Sequence, residues 1–105
     1  MTVYDRDRDL LTIVSQDPYA PELQAVDTLQ FQHGPIQENG INGVQNEDVI
    51  QGLILRLQAL NQPPHNCREN SLAITKLEEA LHWLEHRTKL RREQGVEGTN
   101  EPHRS

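Results

Sequence analysis

Two apolar stripes at helical spacing, separated by Pro63-Pro64, constrain this chain more than any other feature. Val49, Ile50, Leu53, Ile54, Leu57 and Leu60 recur every three or four residues and so share one side of an α-helix. Asn46 followed by Glu47 and Asp48 marks its start, because an Asn side chain caps free N–H groups and acids complement the positive end of the helix dipole. The two prolines forbid continuation, which predicts a helix over about residues 47–61. Asn66 with Glu69 three residues on reads as a capping box for a second helix. Ala73, Ile74, Leu77, Ala80, Leu81 and Leu84 form its stripe, which runs past Thr88 until Gly95 stops it. Two such helices joined by a short Pro-rich turn predict an antiparallel αα-hairpin.

A lone two-helix hairpin buries a single seam, less apolar surface than is needed to offset the ordering of its own chain. A homo-oligomer with helix-lined interfaces is therefore expected. The rest of the chain adds little core. The hydrophobic fraction is 34%, and Leu, Ile, Val and Phe together number 26 of 105 residues, enough for part of the chain to fold.

Upstream of the helices the periodicity is weaker. Residues 1–27 mix charges, short apolar groups and two prolines, and are expected to form a loosely ordered arm with one strand at about residues 10–14. From Thr28 onward, Leu29 and Phe31 alternate with Gln30 and Gln32, and His33-Gly34-Pro35 and Asn39-Gly40 punctuate the run, as in a small β-hairpin. Asn39, Gly40, Asn42 and Gly43 indicate either backbone held close to a neighbour or a plain tight turn. The expected class is α+β: an arm over 1–27, a β-hairpin plus helical hairpin over 28–99, and a disordered tail over 100–105.

The net charge of −6 disfavours a surface that wraps nucleic acid polymers or anionic lipid, so any basic site is local. The single cysteine, Cys67, cannot form an internal disulfide and fits a reducing cytosol. The opening MTVYDRDRDL carries acids where a secretory signal carries lysines, and the longest apolar run is LLTIV from Leu10. A soluble, unprocessed protein without membrane contact is expected.

The local excess of positive charge lies late in the second helix, at Arg87, Lys89, Arg91 and Arg92. Arg87 and Arg91 are four apart, a spacing that could grip two phosphates of a small ligand by paired hydrogen bonds. Cations at a helix C-terminus also simply complement the dipole. Arg68 and Asn70 lie in the first turn, where an arginine opposes the dipole; a phosphate or base ligand would explain it, as would a surface ion pair with Glu69 or Glu47. His82 and His86, four apart with Glu78 or Glu85 nearby, have metal-ligand spacing but lack a His-Glu-x-x-His pattern. Glu78-Glu79 has no second acidic helix opposite it of the kind that magnesium-dependent nucleotide pyrophosphohydrolases use. Trp83 reads as packing, and Cys67 has only His65 nearby as an activating group. No catalytic group, cofactor or metal is assigned.

Several segments taken together resemble one family. NGVQNED leading into the first helix, CRENSLAITKLEEALHWLEHRT across the second and RREQGVEGT after it are similar to the helical-hairpin domain of phage sponge proteins, anti-CBASS and anti-Thoeris. The similarity covers about residues 29–99, and LQFQHGP resembles the anti-Thoeris branch more closely. The resemblance implies a non-enzymatic protein of the host cytoplasm that binds cyclic nucleotide immune signals, unmodified, between protomers of a dimer or dimer-based hexamer. It implies that Asn70, Arg87 and Arg91 hold a glycocyclic ADP-ribose and that Arg68 serves cyclic di- or trinucleotides at a separate interface. It places Leu60 where the family often has an aromatic, offering an apolar contact without stacking. It also makes Gly98 and Thr99, in the recurring GVEGT segment, ligand contacts through N–H or hydroxyl groups, or else a helix cap and tail anchor.

Overall fold

The computed structural model describes residues 1–102. It is α+β, with three strands, β1 (Thr2–Asp5), β2 (Leu10–Asp17) and β3 (Ala20–Gln30), then a single helical turn α1 (Ile36–Asn39) and two helices, α2 (Asn46–Leu60) and α3 (Arg68–Glu93). The chain divides into two compact units, Met1–Val44 and Gln45–Ser105.

In the first unit the strands form an antiparallel meander in the order β1-β2-β3. Tyr4 lies opposite Leu11, Leu11 opposite Leu29 and Val14 opposite Val26, which pairs apolar side chains across the strands. The residues that look like a charged arm are turn formers. Asp5 accepts from the Asp7 N–H at 3.0 Å and the Arg8 N–H at 3.3 Å, and its carboxylate pairs with the Arg8 guanidinium, closing the β1-β2 turn. Asp17 accepts from the Tyr19 N–H at 2.8 Å and closes the next. The loosely ordered arm expected over 1–27 is thus corrected to a sheet. The strand expected at 10–14 is present and runs on to Asp17.

The β-hairpin expected from Thr28 is also corrected. Regular pairing ends at Gln30, and beyond it Phe31 makes one isolated parallel bridge with Val44. A Cβ on Gly43 would fall on the Phe31 carbonyl, so this glycine permits the close backbone approach. The intervening loop is tied by amide side chains. Gln32 Nε2 donates to the Gly40 carbonyl at 2.7 Å, and Asn42 accepts from the His33 N–H and donates to the His33 carbonyl, both at 2.8 Å.

The second unit contains the expected helical hairpin. One groove between its helices brings Gln58 together with Glu78, and another brings Glu47 together with Lys89 and Arg92, so α2 and α3 run antiparallel. Ile54 and Ile74 are the buried apolar side chains of the seam. The caps differ from expectation by one residue. Gln45, rather than Asn46, precedes α2, and its N–H donates to the Asp48 carboxylate at 2.9 Å. Cys67, rather than Asn66, precedes α3 and makes no side-chain cap bond. Its N–H instead donates to Asn61 Oδ1 at 3.0 Å, while Asn61 Nδ2 donates to Ser71 Oγ, tying the inter-helix turn to both helices. No described helix is long and apolar enough to cross a membrane. Part of the tail expected over 100–105, residues 103–105, lies outside the described residues.

Candidate functional site

The end of α3 is built by a helix-stop motif. Gly95 has φ +73°, its N–H donates to the Arg92 carbonyl at 3.1 Å, and the Val96 N–H returns to the Arg91 carbonyl at 2.9 Å. This is the Schellman pattern that satisfies carbonyls left free by a helix end. It reverses the chain and lays residues 96–99 back toward the helix.

Arg87 and Arg91, one turn apart, have different surroundings there. Arg87 is exposed, whereas Arg91 retains 7% of its surface. Arg91 Nη2 donates to the Val96 carbonyl at 2.9 Å and to the Thr99 carbonyl at 3.2 Å. Thr99 Oγ1 donates to the same Val96 carbonyl at 2.6 Å and accepts from the Glu101 N–H at 3.1 Å, so the Thr99 hydroxyl is engaged within the loop. Gly98 has φ +75°. Arg92 pairs with Glu97 through two hydrogen bonds, 2.8 and 3.2 Å, which raise the Arg92 pKa and lower that of Glu97.

Arg68 is exposed and Asn70 half-buried at the other end of α3, and Leu60 is exposed at the end of α2. Asn70 and Arg87 are separated by seventeen positions of one helix, roughly 26 Å at 1.5 Å per residue. One copy of the chain therefore does not bring them to the same nucleotide-sized ligand.

Two open grooves lie between α2 and α3. One, of about 250 Å³, is lined by Gln51, Ile54, Gln58, Glu78, Leu81, His82 and Glu85. The other, of about 290 Å³, is lined by Glu47, Glu85, Thr88, Lys89 and Arg92. Neither includes Arg68, Asn70, Arg87 or Arg91. The His82 and His86 rings are stacked with centroids 6.5 Å apart, and Trp83 meets both edge-on. Among the described residues no three His, Cys, Asp or Glu side chains converge as a metal site. Cys67 is exposed.

Sequence reasoning did not find one polar cluster, in the first unit. Tyr4 Oη donates to Asp9 Oδ1, and His33 Nδ1 lies 3.0 Å from Asp9 Oδ2. The Tyr4 hydrogen bond, and then that of His33, hold the Asp9 pKa below the ordinary carboxylate value, while the same bond raises the Tyr4 pKa. Asp9 adopts φ +52°, and its carbonyl accepts from the Phe31 N–H at 3.0 Å. The cluster ties the β1-β2 turn to the exit of β3. No local spacing could reveal it, because Asp9 and His33 are 24 residues apart.

With this geometry established, similarity to known proteins can be placed on it. Residues 26–89 match the family model described as the Acb2/Tad1 hairpin domain, from the end of β3 through most of α3. Thoeris anti-defense 1 of Bacillus phage SBSphiJ7 is 58% identical over 74 residues, which cover 70% of this chain and 52% of that protein. The chain thus spans about half the length of the curated relative it matches. The sequence resemblance and the family match agree, and the chain belongs to the Acb2/Tad1 hairpin-domain family.

Proposed function

We propose that this chain is a phage anti-defence protein that binds cyclic nucleotide immune signals in the host cytoplasm and sequesters them without degrading them. The 58% identity to a protein named for anti-defence against Thoeris carries this reading. Exposed Arg87 supplies a fork of donors suited to a phosphate pair, and Asn70 supplies an amide suited to a ribose or base. Their separation along α3 supports a pocket shared between copies, with Asn70 from one protomer and Arg87 from another. Leu53, Leu55, Leu60, Leu72 and Trp83 are exposed on the helices, which supports helix-lined interfaces in a dimer-based hexamer. Glycocyclic ADP-ribose is the ligand assigned to Asn70, Arg87 and Arg91, with Leu60, Gly98 and Thr99 at the margin of the site. Arg68, exposed at the opposite end of α3, is assigned to cyclic di- or trinucleotides, whose more widely spaced phosphates suit arginines from several protomers.

The same exposed apolar residues also favour a second reading, a helical-hairpin protein-interaction module. Incubation with glycocyclic ADP-ribose and with cyclic di- and trinucleotides, followed by denaturation and chromatography of the released ligand, separates the possibilities. Depletion followed by recovery of intact ligand supports sequestration. Altered ligand indicates a hydrolase, and no depletion leaves the interaction module. Light scattering tests the assembly: a folded 12 kDa monomer at micromolar concentration would overturn the shared-pocket reading.

A further inference from the structure

Two histidines at positions i and i+4 of a helix stand over the same strip of surface, with Cβ atoms about 5–6 Å apart. His82 and His86 occupy such positions inside α3, away from both of its ends, so regular helical backbone fixes their spacing. Both are exposed, and their rings lie nearly parallel, at an interplanar angle of 11°. Trp83 meets each of them edge-on, with centroids 5.7 Å from His82 and 6.0 Å from His86, and is itself 66% exposed. All three rings stand on the surface of the described chain, so core packing does not explain them. Among the described residues neither imidazole makes a hydrogen bond or an ion pair.

We propose that His82 and His86 together chelate one late first-row divalent cation, of the Zn²⁺ or Cu²⁺ class, through one ring nitrogen each, with water completing the coordination. Imidazole nitrogen is a preferred ligand of these ions. Two nitrogens on one tetrahedral ion lie about 3.4 Å apart, given metal–nitrogen bonds of about 2.0–2.1 Å. The ring centroids are wider than this, at 6.5 Å, and because both rings are exposed, rotation about their side-chain bonds closes the gap without moving the helix. The local charge favours a cation. Glu78, one turn before His82, and Glu85 line the same groove as His82, and neither carboxylate makes an ion pair among the described residues. Across that groove α2 contributes Gln51, Ile54 and Gln58, none of them charged. No third His, Cys, Asp or Glu converges on the pair, so the site is an open chelate that binds its ion reversibly, unlike a closed structural zinc centre. No residue assigned above to a nucleotide takes part, and the inference stands apart from the sequestration reading.

Trp83 is the single tryptophan of the chain, so its fluorescence reports on this place alone. The full chain is titrated with Cu²⁺, which quenches an adjacent indole, and Zn²⁺ is then added as a competitor. The expected result is quenching that saturates at one ion per chain with a micromolar Kd and is reversed by Zn²⁺ but not by Mg²⁺. His82→Ala and His86→Ala are each expected to raise the Kd about tenfold or more, because losing one imidazole turns a chelate into a single ligand. His65→Ala, outside the pair, is expected to leave it unchanged. Circular dichroism checks that α3 persists in each variant, and His86→Asn, a weaker ligand of similar size, is expected to reproduce the loss. Wild-type quenching in His82→Ala or His86→Ala would overturn the site, as would a wild-type protein whose Trp83 is not quenched by micromolar Cu²⁺.

Discussion

The two units of this chain are stabilised by different physics. In Met1–Val44 every residue is half-buried or exposed, and the sheet is held by strand pairing together with polar side chains that reach back to the main chain. Gln30 Nε2 alone donates to the carbonyls of Arg8, Asp9 and Phe31. In the helical hairpin, Ile54 and Ile74 are buried, and polar contacts tie the Asn61 turn and the end of α3 at Arg91. Each polar tie adds about 1 kcal/mol net, whereas a fully buried aliphatic side chain adds about 1.5–3 kcal/mol. The sheet unit is therefore specified by many small contributions and the hairpin by a few large ones.

The sharpest test of that contrast is to remove one apolar side chain from each unit. Ile54→Ala is expected to destabilise the hairpin by about 2–5 kcal/mol, combining lost burial with a residual cavity. Leu29→Ala, at a half-buried position, is expected to cost about 1–2 kcal/mol. Urea unfolding of both variants measures the difference, and equal costs would break the contrast.

The same difference explains which parts of the structure were legible in the sequence. The α2 and α3 stripes repeat in the linear sequence because one buried face imposes a period on it, and the expected and observed ends of α2 differ by one residue. The sheet imposes no clean period. Leu10, Leu11 and Thr12 are consecutive and all half-buried, so both faces are partly covered and alternation is blurred. Asp5 and Asp17 look like solvated charge until their turns are seen. In the candidate site, the spacing of Arg87 and Arg91 was legible. Their unequal burial was not, because the partners of Arg91 are main-chain carbonyls beyond Gly95, and a carbonyl leaves no mark on residue identity.

Within the hairpin unit, the clearest functional test is Arg87→Ala. Loss of a charge-assisted contact is expected to weaken glycocyclic ADP-ribose binding by about 1.5–3 kcal/mol, read by calorimetry, while cyclic oligonucleotide binding and melting temperature stay near wild type. Arg68→Ala is expected to give the reverse selectivity. Unchanged affinity of Arg87→Ala for every ligand would reduce the α3 arginines to dipole partners.

A smaller effect is expected at the helix stop. Gly95→Ala keeps all hydrogen-bonding groups but places a Cβ at φ +73°, which costs about 1–2 kcal/mol. The loss is expected mainly as faster exchange of the Val96 amide, because that N–H closes the reversal onto Arg91. A variant with full protection at Val96 would mean that the Arg91 side chain holds the loop without the Schellman turn.

The smallest effect concerns the Tyr4–Asp9–His33 tie in the sheet unit and is recognised by its pH dependence. The Asp9 pKa is depressed in the folded state, chiefly by the Tyr4 hydrogen bond and next by His33. The tie therefore contributes fully above the unfolded carboxylate pKa, near 3.9, and is lost as pH falls through the lower folded value. The Tyr4 pKa is raised, so its contribution is present below the unfolded value, about 10, and is lost as pH rises through the higher folded value. The stability difference between wild type and Tyr4→Phe is thus expected to form a plateau across neutral pH and to shrink at both extremes. The Asp9 carboxyl, followed by NMR titration, is expected to move up toward its ordinary pKa in Tyr4→Phe and by less in His33→Gln. A flat stability difference across the acid range, with the Asp9 titration unmoved, would show that the strand pairs alone hold the β1-β2 turn against the exit of β3.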